Sequence, residues 1–148
     1  MTKQLIVIGV IIVIVLFASQ TILGQFSSLR LIGSTGKVTF RGVGVYWDAN
    51  CSSRVDSLDW ESVAPGSNVT KTVFIRNEGN EESDLFLNTT NWSPSNAADY
   101  ITLTWDYNDY TLYPGQTREV MLTLSIALIT EGIKDFNFDI IIGVNEEA

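Results

Sequence analysis

Hydrophobic positions follow two different patterns, one in the first part of the chain and one from Lys37 onwards. Leu5 to Ala18 is an uninterrupted apolar run of 14 residues, and apolar character resumes after three polar residues, so that Leu5 to Gly24 covers 20 residues. At about 1.5 Å of rise per residue, a helix of that length crosses a bilayer core. The pattern predicts one N-terminal apolar helix at residues 1–27.

Two interpretations of this segment stand, a cleaved signal peptide and a retained anchor. Lys3 followed by a short apolar core is typical of a signal peptide, whereas the longer span has the length of a transmembrane helix. Signal cleavage needs small residues at positions −3 and −1, but endings at Ala18 and Gly24 each place a bulky residue at −3. This favours a retained helix, with the basic start inside and the rest of the chain outside.

From Lys37 the hydrophobic period changes to two, and the runs become short, β-branched and aromatic, as in half-buried strands. The alternation slips by one residue at Gly42, which predicts a bulge in the first strand. Ser57–Trp60 and Tyr110–Tyr113 are candidates for one or two further strands. The clear alternating segments are 37–48, 68–77, 83–89, 101–107, 118–127 and 135–143.

Turn signals separate these strands. Pro65-Gly66 and Pro114-Gly115 suit the two central positions of type II turns, and Asn108-Asp109 between two tyrosines favours a tight hairpin. Many short strands without a helical pattern after the apolar segment predict an all-β fold. We expect an antiparallel immunoglobulin-like β-sandwich of about seven strands over residues 37–148, joined to the helix by a tether at 28–36.

Charge narrows the choice of partners. All 17 acidic residues lie from Asp48 onward, and residues 37–148 carry 7 Lys and Arg against 17 Asp and Glu, a net charge of 7 − 17 = −10. Such a domain repels phosphate backbones, so we expect no nucleic-acid partner. The membrane, through the N-terminal helix, is the first expected partner.

Residue types that carry chemistry are scarce. The chain has no histidine, the commonest general base and metal ligand, and Ser67, Lys71 and the scattered acids show no catalytic spacing. Cys51 is the only cysteine, which excludes a disulfide within one chain and favours a small structural residue over an intermolecular disulfide. We therefore expect no enzyme activity and no cofactor.

Two loops, 78–84 and 106–109, are rich in carboxylate and amide oxygens, the ligands that calcium prefers. Neither has the alternation of an EF-hand loop, so solvated acidic turns are the favoured interpretation and no metal site is assigned. The four tryptophans are expected to close the ends of the core, in preference to forming a sugar-binding face. They are Trp47, Trp60, Trp92 and Trp105.

Four Asn-X-Ser/Thr sequences make N-glycosylation of an exported surface a further expectation. Their acceptors are Asn50, Asn68, Asn88 and Asn91. Pro94 closely follows the last of them, which makes Asn91 the weakest acceptor.

Several of these motifs together resemble a known group of proteins. The order of Ala64-Pro65-Gly66, a strand ending in Asn77-Glu78-Gly79-Asn80, and Tyr113-Pro114-Gly115 before a long strand is similar to prokaryotic surface immunoglobulin-like domains. With the stretches at 42–48, 58–60 and 91–105, it resembles small archaeal cell-surface proteins of uncharacterised function that carry one N-terminal apolar segment. The layout also resembles, more loosely, the TasA and camelysin group of filament subunits.

The resemblance and the residues imply a non-enzymatic, membrane-anchored module outside the cytoplasm with a structural or adhesive role. Its expected partners are other surface or envelope proteins, including copies of itself. The alternative is a subunit of an extracellular filament, in which the N-terminal helix packs as in a pilus or residues 26–37 donate a strand to a neighbour. Archaeal type IV pilins share the layout, but Thr2-Lys3-Gln4 does not match their processing signal.

Overall fold

A computed structural model describes residues 32–145, which form eight β-strands and one short 3-10 helix. The predicted helix at 1–27, residues 28–31 of the tether and residues 146–148 lie outside the described residues. The 3-10 helix, Ser95–Asp99, lies between β5 and β6. The strands are β1 (Ile32–Arg41), β2 (Val43–Tyr46), β3 (Ser57–Val63), β4 (Asn68–Asn77), β5 (Leu85–Ser93), β6 (Ile101–Trp105), β7 (Thr117–Ile126) and β8 (Asp135–Val144).

The strands form two four-stranded sheets, with the orders β3-β1-β8-β5 and β2-β4-β7-β6. Every pairing is antiparallel except that of β1 with β8, which is parallel. Buried side chains from both sheets belong to one hydrophobic core. The prediction of an all-β sandwich is confirmed.

Strict alternation of side chains explains this core, because every second residue of a strand faces the opposite sheet. The inward positions of β7 and β8 are apolar and buried, whereas their neighbours are at least partly exposed over most of each strand. These inward residues are Val120, Leu122, Leu124, Ile126, Phe136, Phe138, Ile140 and Ile142.

The first predicted strand with a bulge is in fact two strands in different sheets. β1 ends at Arg41, paired with β8, and β2 begins at Val43, paired with Asn77 of β4. Gly42 between them has φ of 72°, a conformation that glycine adopts without steric cost. A one-residue slip in the alternation occurs at a bulge within one strand, and it also occurs where the chain passes from one sheet to the other. The sequence pattern therefore did not distinguish these two structures.

The first strand also begins earlier than predicted. β1 starts at Ile32, so residues 32–36, which were predicted as part of the tether, pair with β3, and from Gly33 onwards they pair with β8 as well. The inward positions of this part include Ser34 and Gly36, which lack the apolar pattern of a strand. Gly36 faces Trp60 and Ile140, whose bulk fills the space that a larger side chain would need.

The two candidate strands have different outcomes. Ser57–Trp60 belongs to β3, but Tyr110–Tyr113 contains only an isolated bridge from Leu112 to Ser83. Asn108-Asp109 does not form a tight hairpin, because β6 ends at Trp105 and β7 begins at Thr117. The intervening loop is held away from hairpin geometry by contacts to the turn after β4.

Both predicted Pro-Gly turns are confirmed. The amide of Ser67 donates to the carbonyl of Ala64, and that of Gln116 donates to the carbonyl of Tyr113. Gly66 and Gly115 have φ of 77° and 74°, as the third position of a type II turn requires. Each turn directly precedes one of the two central strands of the second sheet, β4 and β7.

The sandwich has two ends with different loops. The Ile32 end, where β1 begins, carries loops 64–67, 94–100 and 127–134. The Asn77 end, where β4 ends, carries loops 78–84 and 106–116. Since β1 and β8 are parallel, the chain enters at the Ile32 end, and its last described residue, Asn145, lies at the Asn77 end.

Candidate functional surfaces

A hairpin of residues 46–54 folds over the outer face of the second sheet. The Tyr46 hydroxyl donates to Oε1 of Glu78, and Nη2 of Arg54 donates to both carboxylate oxygens of Glu78 at 2.6 and 2.8 Å. The Arg54 guanidinium also lies over the Tyr46 ring, 5.3 Å from its centroid. These contacts fasten the hairpin to the turn that follows β4.

Hydrogen bonding shifts the pKa values of this cluster in opposite directions. The bond from Tyr46 is the main cause that lowers the pKa of Glu78, and the bond from Arg54 adds to it, whereas partial burial opposes the shift. The same bond to Glu78 raises the pKa of Tyr46. The cluster holds Glu78 ionised and Tyr46 neutral at neutral pH, which suits a structural contact and leaves no free base.

The tip of the hairpin is organised by Asp48. Its carboxylate accepts hydrogen bonds from the backbone amides of Asn50, Ser52 and Ser53 at 2.9–3.2 Å. Desolvation works to raise the pKa of Asp48, but these bonds outweigh it and lower the pKa. The carboxylate is occupied by its own loop and is not a free ligand.

The residues considered for nucleophilic chemistry are also engaged in local structure. The Ser67 hydroxyl donates to the carbonyl of Ala64 at 2.5 Å, within the turn before β4. Nζ of Lys71 lies 3.8 Å from Oε1 of Glu61 on the neighbouring sheet. Sγ of Cys51 lies 3.5 Å from Oγ1 of Thr117, and the thiol is half-buried.

The two acidic loops, far apart in sequence, meet at the Asn77 end. Ser83 and Leu112 exchange backbone hydrogen bonds, and Oγ1 of Thr111 donates to Oδ1 of Asp84 at 3.0 Å. Among residues 32–145, no three acidic or cysteine side chains are grouped closely enough to hold a metal ion. A cleft between the loops and the end of β8 is lined by Glu81, Glu82, Ser83, Asp84, Thr111, Val144 and Asn145.

Asn77 joins these two loops from inside the protein. Its side chain is buried, and Nδ2 donates to the carbonyls of Glu81 and Leu112 at 2.7 and 2.8 Å. Oδ1 accepts from the amide of Gly79 at 2.8 Å, while the backbone of Asn77 bonds to Gln116 and Gly115. The sequence analysis recognised a turn at this position but not the buried side chain that organises it.

All four candidate glycosylation residues are exposed, but they do not share one surface. Asn50 lies in the hairpin tip and Asn68 at the first position of β4. Asn88 and Asn91 lie on β5, an edge strand of the first sheet. Nδ2 of Asn91 donates to Oδ2 of Asp139 at 2.7 Å, so its amide is already engaged.

The tryptophans do not form one binding face. Trp60 is buried between the sheets, Trp92 and Trp105 pack against the core as half-buried residues, and Trp47 is 42% exposed. Trp92 stacks on Phe138 with ring centroids 4.2 Å apart. The expectation that tryptophans close the core fits three of the four positions.

The Ile32 end carries the most exposed large hydrophobic side chains of the described residues. Leu128 and Ile129 are 79% and 72% exposed, at the tip of the loop between β7 and β8. The sequence did not predict their exposure, because Ile126 to Ile129 is a continuous apolar run that resembles the end of a strand. The signal that marks them is the loss of alternation after Ile126.

No protein-family model matches this sequence, and no curated protein matches it either. Within residues 32–145, no helix is both long and apolar enough to span a bilayer.

Proposed function

We propose that this protein is a non-enzymatic, membrane-anchored module that displays an immunoglobulin-like β-sandwich outside the cytoplasm. Its role is structural or adhesive, and its partners are other surface or envelope proteins. The observation that carries the proposal is the direct continuation of the 20-residue apolar segment, through residues 25–31, into the first strand of the sandwich. In this proposal the anchor adjoins the end of the sandwich at which β1 begins.

The distribution of charge supports this orientation. Loops 78–84 and 106–116 at the Asn77 end hold 6 carboxylates and no Lys or Arg, whereas the three loops at the Ile32 end hold 2 carboxylates and 1 Lys. Anionic lipid headgroups repel carboxylates over roughly the Debye length of about 8–10 Å. The acidic end is therefore the one that faces away from a membrane.

The immunoglobulin-like assignment refers to architecture. Two sheets, one mixed and one antiparallel, share one core, and turns cluster at both ends, as in many cell-surface sandwiches that differ in strand order. Here the first strand lies between β3 and β8, and the second strand is in the opposite sheet. Glycosylation at the exposed asparagines is part of the same proposal, with Asn91 the weakest acceptor because its amide is engaged by Asp139.

The test places charge inside the apolar segment. Arg residues at the bilayer centre each cost about 2.5–3.5 kcal/mol on insertion scales, so Val13→Arg with Val15→Arg should shift the full chain out of the membrane fraction. Gln4→Arg adds a charge of the same kind before the apolar run and should leave membrane retention unchanged. Protease added to intact cells should digest the wild-type domain, and intact mass should show a retained N-terminus.

Two results would contradict the proposal. One is a domain that survives external protease while a known surface protein is digested. The other is a double Arg variant that stays in the membrane as fully as the wild type.

The second candidate is a filament subunit, supported by open strand edges. β5 pairs with β8 on one side only, and its nine residues offer an edge to a strand from another chain. The donor version is less favoured because residues 32–37 already pair with β3 and β8 of their own chain. Recovery of the native protein in high-molecular-weight fibres, starting between Ser19 and Gln25, would favour the filament.

A further inference from the structure

The loop between β7 and β8 presents two adjacent aliphatic side chains to solvent. Leu128 and Ile129 project from its tip, and Ala127 beside them is exposed as well. Exposing two neighbouring aliphatic side chains to water is unfavourable. A site that keeps them exposed is a candidate contact surface.

Backbone hydrogen bonds hold this loop in place. The amide of Gly66 donates to the carbonyls of Ile126 and Ala127, both at 3.1 Å, and the amide of Ala127 donates to Tyr100 at 2.8 Å. Further along, the amide of Ile133 donates to the carbonyl of Thr130 at 3.0 Å. The residues that flank the apolar tip are thus hydrogen-bonded to both neighbouring loops and within their own loop.

The tip lies at the end where the N-terminal segment enters. Ile32, the first described residue, pairs with Val63, and the turn that follows brings Gly66 under Leu128. A Cβ atom added at Gly66 would lie 3.0 Å from Cδ1 of Leu128. The apolar tip and the entry point of the chain therefore share one end of the molecule.

The length of the connecting segment limits how far this end is from a membrane. Residues 25–31 separate the apolar segment from Ile32, and seven residues span at most about 25 Å when fully extended. The opposite end of β1 lies about 30 Å from Ile32, because β1 has ten residues at about 3.3 Å each. With the proposed anchor, the connecting segment therefore holds the Ile32 end near the lipid and places no such limit on the Asn77 end.

We propose that Leu128 and Ile129 insert into the lipid interface, so that the sandwich stands upright on the bilayer with the Asn77 end outward. This inference rests on the proposed membrane anchor and adds a second contact with the same bilayer. The molecules that contact Leu128 and Ile129 are therefore lipids. The weakly charged loops around the tip permit this approach, and the carboxylates of the Asn77 end stay beyond the headgroups.

The test uses the full chain reconstituted in vesicles of zwitterionic lipid. In a Cys51→Ser background, an environment-sensitive fluorophore is attached at Leu128→Cys or at Ile129→Cys. The matched control is Tyr113→Cys, which replaces a 58% exposed side chain at the Asn77 end. Quenching is measured with a nitroxide carried by the lipid and with iodide in the water.

Lipid-borne nitroxide should quench the labels at 128 and 129 several-fold more than the label at 113, and iodide should show the reverse order. Equal quenching of all three labels by iodide, with none by lipid, would overturn the inference. Labels at 128 and 129 that are protected from both quenchers would also overturn it, because another protein surface, such as a second copy, would then cover the tip.

Flotation of the same vesicles separates this inference from the proposed function. If the labelled chain does not float with the lipid, the anchor itself is absent and the proposed function fails. If the chain floats but its tip is open to iodide, the anchor stands and only the lipid contact of the tip is wrong.

Discussion

Asn77 is the residue on which the arrangement of the Asn77 end depends. Its amide nitrogen donates to two carbonyl oxygens on different loops, and its amide oxygen accepts from Gly79. A buried polar side chain is tolerated only when its hydrogen bonds are satisfied, and an unsatisfied group costs about 1–3 kcal/mol. Both donor positions of Asn77 are used, so no other side chain of the same size can replace it.

The Asn77→Asp substitution tests this role. A carboxylate would place an acceptor against the carbonyls of Glu81 and Leu112, and we expect the free energy of unfolding to fall by about 2–5 kcal/mol. Asn80→Asp, an exposed position of the same turn, adds the same charge and is the matched control. Equal denaturation midpoints for the two variants would show that the buried hydrogen bonds contribute little.

At the residue scale, local signals were predictable and distant contacts were not. The two Pro-Gly turns follow from the fixed φ of proline and the freedom of glycine, both of which are local properties. Asn77 bonds to Leu112, 35 positions away, and Glu78 bonds to Arg54 and Tyr46, 24 and 32 positions away. No pattern within a single turn specifies such partners.

At the scale of the strand, β1 shows where hydrophobic alternation no longer predicts the extent of a strand. Val38 in its later half is apolar and buried, but its first half places Ser34 and Gly36 at buried positions. Oγ of Ser34 and Nε1 of Trp60 are buried without hydrogen-bond partners among the described residues. The strand is specified by its neighbours, since Trp60 and Ile140 occupy the space beside Gly36. β7 and β8 were predicted to within a residue at each end because their buried inward residues are apolar.

Gly36→Leu tests whether this close packing is required. A Cβ at Gly36 would lie 3.1 Å from Cδ1 of Ile140, so a leucine overfills the core, and we expect a loss of unfolding free energy of about 1–3 kcal/mol. Thr35→Leu puts the same side chain on the exposed face of the same strand and should change stability by less than about 0.5 kcal/mol. A Gly36→Leu protein as stable as Thr35→Leu in urea denaturation would mean that the core has room at this position.

At the scale of the whole molecule, the two ends of the sandwich differ in charge and in apolar exposure. Sequence analysis identified the acidic composition, but it did not place the two acidic loops together, because residues 78–84 and 106–116 meet only through the folding of both sheets. In the same way, the apolar tip at Leu128 and the entry of the chain at Ile32 are separated by almost a hundred residues. The difference in charge and apolar exposure between the two ends therefore depends on the topology, in which β1 and β8 are parallel.

The last prediction compares two shortened proteins, residues 32–148 and residues 37–148. The first keeps all of β1 and should be soluble, folded and monomeric at micromolar concentration, because two exposed side chains are far from the roughly 1,000 Å² that a stable interface buries.

The second shortened protein loses residues 32–36, and with them every pairing of β1 with β3 except that of Lys37 with Ser57. Without residues 32–36, β3 is released from the sheet and the first residues of β8 lose their neighbour on one side. Both then expose unpaired strand edges, so this protein should unfold or aggregate. Size-exclusion chromatography with circular dichroism distinguishes the outcomes. If residues 32–148 instead form fibres or fail to fold, residues 1–31 supply contacts that the sandwich needs, and the filament subunit becomes the better proposal.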